Sequence, residues 1–94
     1  MKPLERVFFM ACWMSCNHIT SDGLKKGHTS VKTIVDAFSA MGFSEKQLYA
    51  YANKWSDKGF YNYGTSLRFG WFEDEHLTGE YLELAKQADK IQGV

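Results

Sequence analysis

Ninety-four residues make a single domain, 1–94, large enough to bury a core but with little to spare. Apolar residues at 45%, with aromatics at 16%, exclude a disordered chain. A formal net charge of zero denies the chain the overall positive field of a basic nucleic-acid coat. The charge is unevenly spread, however. Residues 1–72 hold nine Lys/Arg against five Asp/Glu, and residues 73–94 hold two against six. The run Val7–Met14 is far shorter than the ~20 residues a bilayer-spanning helix requires. Glu5 and Arg6 stand before it and no small-residue cleavage site follows, so it does not read as a signal peptide. Cys12 and Cys16 on one helix do not favour a bridge. Free thiols without an export signal predict a cytoplasmic protein.

Pro3 suits the first turn of a helix, predicted over 3–17. Leu4, Val7, Phe8, Phe9, Met10, Ala11, Cys12, Trp13 and Met14 make that helix apolar on nearly every face. In a chain this small such a helix predicts a homodimer, formed through it with the C-terminal helix beside it. Residues 19–28 form a polar connector with Gly23 and Gly27, in which Leu24 could anchor a short strand.

Thr29 or Ser30 caps the next helix, whose stripe is Val31, Ile34, Val35, Phe38 and Met41. Gly42 provides a left-handed C-cap, and Ser44 caps a third helix with Glu45 in its first turn. Leu48, Ala52 and Trp55 form the core stripe of that helix. Lys54 and Lys58 suit its C-terminal end, and Gly59 releases the chain into a strand. The pair of helices spans 30–58 as a helix-turn-helix. An aromatic hairpin follows over 60–72 with its turn at Gly64-Thr65-Ser66, and a last helix over 78–91 carries Tyr81, Leu84, Ala85, Ala88 and Ile91.

Three phrases carry a family resemblance. Lys54-Trp55-Ser56-Asp57-Lys58-Gly59-Phe60 looks like the end of a recognition helix entering a wing strand. Tyr63-Gly64-Thr65-Ser66-Leu67-Arg68-Phe69-Gly70-Trp71 looks like the wing itself. Leu77-Thr78-Gly79, followed by Tyr81, Leu82 and Leu84, is similar to the start of the helix after the wing in MarR-type repressors. Over residues 28–91 the chain thus resembles the winged helix-turn-helix domains of small bacterial and phage regulators. The resemblance implies a mostly α fold with a small antiparallel β-hairpin (α+β), and double-stranded DNA as partner.

With Leu48, Ala52 and Trp55 facing the core, Lys46, Gln47, Tyr49, Ala50, Asn53 and Lys54 are expected to face the groove. Asn and Gln can pair with adenine there, and Lys with guanine or phosphate. Thr65, Ser66 and Arg68 at the wing, and Lys25, Lys26 and Lys32 around the first helix of the motif, are expected to meet phosphate. Competing readings are weaker. Phe60, Tyr61, Tyr63, Phe69, Trp71 and Phe72 could stack on single-stranded bases, but cross-strand packing explains them better. Cys12, Cys16, His18 and His28 lack the two tight pairs of a zinc site, so no metal or other cofactor is expected. No nucleophile–base pair or carboxylate dyad points to an enzyme. The main alternative is a winged-helix module that binds a protein, such as a phage-type protein engaging a host factor.

Overall fold

Helix α1 runs from Pro3 to Ser15, opening on proline and ending where Cys16 turns extended. It is therefore two residues shorter than the predicted 3–17. The computed structural model describes residues 1–20, 23–25, 29–63 and 70–92, and of 20 and 23–25 the backbone alone. The buried side of α1 is Glu5, Phe8, Phe9, Cys12 and Trp13, with Leu4, Met10, Ala11 and Met14 packed partly against the core. Val7 stays exposed.

Helices α2 (Val31–Ala40) and α3 (Glu45–Asp57) follow the expected caps. Ser30 accepts from the Thr33 backbone N–H at 3.3 Å, and Ser44 from that of Gln47 at 3.2 Å. Both helices close in the same way. Gly42 takes φ +101°, while the N–H of Gly42 donates to Ser39 and that of Phe43 to Phe38. Gly59 takes φ +81°, with Gly59 donating to Ser56 and Phe60 to Trp55. Each is a Schellman closure, which needs a residue that enters the left-handed region without penalty. The first makes the corner between α2 and α3. The second turns the chain out of α3 into a strand. Met41, placed on the predicted α2 stripe, is the C-cap residue and is exposed.

The sheet is larger than the expected hairpin. Strands β1 (His18–Thr20), β2 (Gly23–Lys25), β3 (Tyr61–Asn62) and β4 (Trp71–Glu73) lie in the order β2-β1-β4-β3. The β3–β4 pair is antiparallel, with Tyr61 opposite Phe72 and Asn62 opposite Trp71, in line with the expected 60–72 hairpin. Its predicted turn, with Thr65, Ser66 and Arg68, lies outside the described residues. The polar connector contributes two strands rather than one. β1 and β2 form an antiparallel pair, and β1 runs parallel to β4, with His18 beside Phe72. The fold is thus mostly helical with a small mixed sheet. His18, buried, bonds Asp74 through Nδ1 at 3.0 Å and stacks on Trp13 at 4.2 Å, which ties the sheet to α1.

Helix α4 (Gly79–Ile91) buries Leu84, Ala85 and Ala88, whereas Ile91 near its end is exposed. It packs along α1 within the same chain. Trp13 Nε1 donates to Asp89 at 3.1 Å, Gln92 Nε2 to the Met14 carbonyl at 2.8 Å, and Phe9 meets Tyr81 edge-on at 5.3 Å. This corrects the basis of the predicted dimer. The two helices expected to form a seam between chains cover each other, and Phe9 and Trp13 belong to the chain's own core.

Trp55 is the centre of that core. It is fully buried, stacked on Phe8 at 5.2 Å, edge-on to Phe9 at 5.2 Å and tilted against Phe72 at 6.0 Å. Trp55→Ala is expected to destabilise the domain by about 3–5 kcal/mol in denaturant unfolding, as other large-to-small core changes do. A variant that unfolds at the parent's midpoint would contradict this placement.

Candidate nucleic-acid interface

The direction in which α3 faces follows from its packing. Leu48, Ala52 and Trp55 are fully buried and Tyr51 nearly so. Four positions on the other side, Lys46, Gln47, Ala50 and Asn53, are exposed, and Tyr49 is half-buried against the core. Lys46 and Gln47 occupy the first turn after the Ser44 cap, at the positive end of the helix dipole. Ala50 leaves the middle of this face low, and Asn53 stands one turn further on. The Oδ1 of Asn53 accepts a hydrogen bond from the Tyr63 hydroxyl.

Lys54 has a different role from the one its sequence position implied. Its Nζ lies 2.6 Å from Oε1 of Glu5, a carboxylate with 2% exposure. The other oxygen of Glu5 accepts from Trp55 Nε1 at 3.0 Å and from the Tyr81 hydroxyl at 2.6 Å. Burial alone would raise the Glu5 pKa. The bonds from Lys54, Tyr81 and Trp55, with the ammonium charge, outweigh it and hold the carboxyl below its ordinary value of 4.5. Tyr81 is pushed up to about 12 by its burial and by the Glu5 bond and charge, so it remains a donor. Lys54 is raised too: its own desolvation would lower it, but the bonds and charge interactions with Glu5 and Tyr81 together outweigh that.

The remaining predicted contacts are scattered. Lys32 on α2 bonds Asp36 one turn on, at 2.9 Å. Lys25 lies in β2 with only its backbone described, and Lys26, Thr65, Ser66 and Arg68 are outside the described residues. The structure therefore brings Lys46, Gln47, Ala50 and Asn53 together on one surface, with Tyr49 at its edge. It draws Lys54 towards the α1–α4 side. The aromatics weighed as a stacking platform are largely internal, since Phe60, Tyr61 and Phe72 are buried. Cys12 and Cys16 are buried free thiols, and no group of three metal-ligating side chains gathers among the described residues.

Sequence reasoning missed the Glu5 cluster, although a signal for it was present. Glu5, Phe8, Phe9 and Cys12 are spaced three, four and seven apart, so one helix face carries all four. Once Phe8 and Phe9 go inside, Glu5 goes with them. An apolar groove was also missed. Pro3, Leu4, Val7, Phe38, Met41 and Phe43 line it between α1 and α2. No helix among the described residues is long and apolar enough to cross a membrane. In comparison with known proteins, no family model matches the chain, and neither does any curated protein or solved structure.

The Glu5 cluster has a pH signature. Its folded pKa is depressed, so its contribution to stability is complete above the ordinary value of 4.5 and lost as pH falls through the lower folded value. Unfolding free energy should therefore fall as the solution is acidified below 4.5. Glu5→Gln, which has no proton to gain, should flatten that fall. Equal acid slopes in parent and variant would show that Glu5 titrates alike in the folded and unfolded chain.

Proposed function

We propose that this chain is a non-catalytic, sequence-specific binder of double-stranded DNA that presents α3 to the major groove. Its fold is read as a winged helix-turn-helix, with β3 and β4 as the stem of the wing. One observation carries the reading. The corner at Gly42 and the buried stripe Leu48, Ala52 and Trp55 leave Lys46, Gln47, Ala50 and Asn53 together in solvent on a rigidly held helix. Such a face offers a cation for phosphate or guanine, two carboxamides for base edges, and a small residue where the helix must approach closely. The acidic charge supports this orientation, because its excess lies in residues 73–94, which are mainly α4 and the 3₁₀ turn before it. A transcriptional regulator or another DNA-transaction factor would fit, working in the cytoplasm at the nucleoid.

A specific observation favours the second reading, a module that docks on protein. Val7, Met41 and Phe43 are exposed at 58%, 64% and 43%, and all three line the α1–α2 groove. A protein partner or a second copy would sit there, since the α1–α4 seam is already used inside the chain. The two readings concern different surfaces and separate readily.

Duplex binding tests the first. Asn53→Ala is expected to lower affinity for the preferred site by about 1–3 kcal/mol while sparing random duplex, as loss of a base contact does. Lys46→Ala should weaken all duplexes alike and reduce the salt slope by about one unit, because a phosphate contact carries no base information. A parent protein with no salt-dependent affinity for any duplex at low ionic strength would defeat the reading.

A further inference from the structure

We propose that Tyr63 sets what Asn53 reads, so that this position of α3 recognises the N7 acceptor shared by adenine and guanine and does not distinguish the two purines. The inference rests on the DNA-binding reading above. It starts from one contact, the Tyr63 hydroxyl donating to Oδ1 of Asn53.

The two residues meet because Gly59 reverses the chain at the end of α3 and sends β3 back beside it. Tyr63 follows β3 directly. Its ring is half-buried and lies edge-on to Tyr61 at 5.3 Å, and Tyr61, itself buried, lies against Phe72 at 5.0 Å. A chain of rings thus fixes the hydroxyl to the core. Burial, with the nearby charge of Asp57, raises Tyr63 above the usual tyrosine value of 10.0, so the hydroxyl keeps its proton near neutrality. In that state it donates to the amide oxygen of Asn53.

The consequence lies in the geometry of a planar carboxamide. An unrestrained Asn pairs with adenine through both ends, its oxygen accepting from N6 and its nitrogen donating to N7. Here the oxygen is turned to the hairpin and already accepts a hydrogen bond. The NH₂ group, on the other arm of the amide, makes no hydrogen bond among the described residues. What remains on offer is a donor. Adenine and guanine both present N7 as an acceptor, whereas cytosine presents its N4 donor in the groove. Adenine loses its advantage over guanine because N6 finds no acceptor. Tyr63 is therefore a positioning residue that acts through Asn53.

Selection of bound duplexes from a random pool tests this with three proteins: the parent, Asn53→Ala and Tyr63→Phe. The base position at which Asn53→Ala loses preference identifies the contact. There the parent is expected to take adenine and guanine within about threefold of each other, both above cytosine. Tyr63→Phe keeps the ring and frees the amide, so adenine should rise to about tenfold over guanine at that position. A purely structural role for Tyr63 would lower all affinities together and leave the ratio unmoved. A parent that already favours adenine about tenfold overturns the inference without any variant. An unchanged ratio in a folded Tyr63→Phe does the same, as does duplex binding with no position sensitive to Asn53→Ala, and both leave the DNA reading standing. Absence of all duplex binding by the parent removes the reading and the inference together.

Discussion

The carboxylate of Glu5 is the constraint on which the arrangement of helices depends. It is buried at 2% exposure and receives donors from two other helices, Lys54 and Trp55 of α3 and Tyr81 of α4. A carboxylate taken out of water is costly unless its oxygens are satisfied, so these three donors must stay where they are. Their directions fix the rotation of α3. With the Trp55 indole turned to Glu5, Leu48 and Ala52 turn inward as well, and Lys46, Ala50 and Asn53 are left outside. We read the role of the cluster as orientation more than stabilisation, because an apolar residue of similar size can match a buried ion pair in free energy. Oily contacts around Phe8 and Phe9 would tolerate a small roll of α3. Three hydrogen bonds to one carboxylate would not.

Elements whose cause is local were legible in the sequence. Ser30 and Ser44 cap as read, Gly42 and Gly59 close their helices as read, and the stripe Leu48, Ala52, Trp55 is buried throughout. The four exposed positions of the candidate site follow directly from that stripe. What could not be read depends on partners far along the chain. Glu5 and Lys54 meet across 49 residues, and nothing in the spacing around Lys54 marks it as paired. The β1 strand gains its place from a parallel neighbour, β4, more than fifty residues away, and its own composition is that of a polar connector. The α1 helix misled in an instructive way. An all-round apolar helix asks for cover on every side, and α2, α3, α4 and the sheet supply nearly all of it, leaving Val7 in solvent.

Among the described residues, the α3 face and the α1–α2 groove differ in chemistry. The α3 face is polar and carries Lys46 beside two carboxamides. The α1–α2 groove is apolar and is bordered by Val7, Met41 and Phe43. Neither is part of the Glu5 cluster, so a partner at either need not disturb the helix packing. The charge of the chain as a whole does not select between them, because its net value is zero. The proposed function rests instead on local geometry, the face that α3 turns to solvent.

The most direct test is a residue-by-residue map of amide chemical shifts as duplex DNA is titrated into the protein at low salt. The account predicts changes gathered on Lys46, Gln47, Ala50 and Asn53, extending towards Tyr63, with α4 silent from Leu84 onward. Changes confined to Val7, Met41 and Phe43, or a spectrum that duplex leaves untouched, would contradict it.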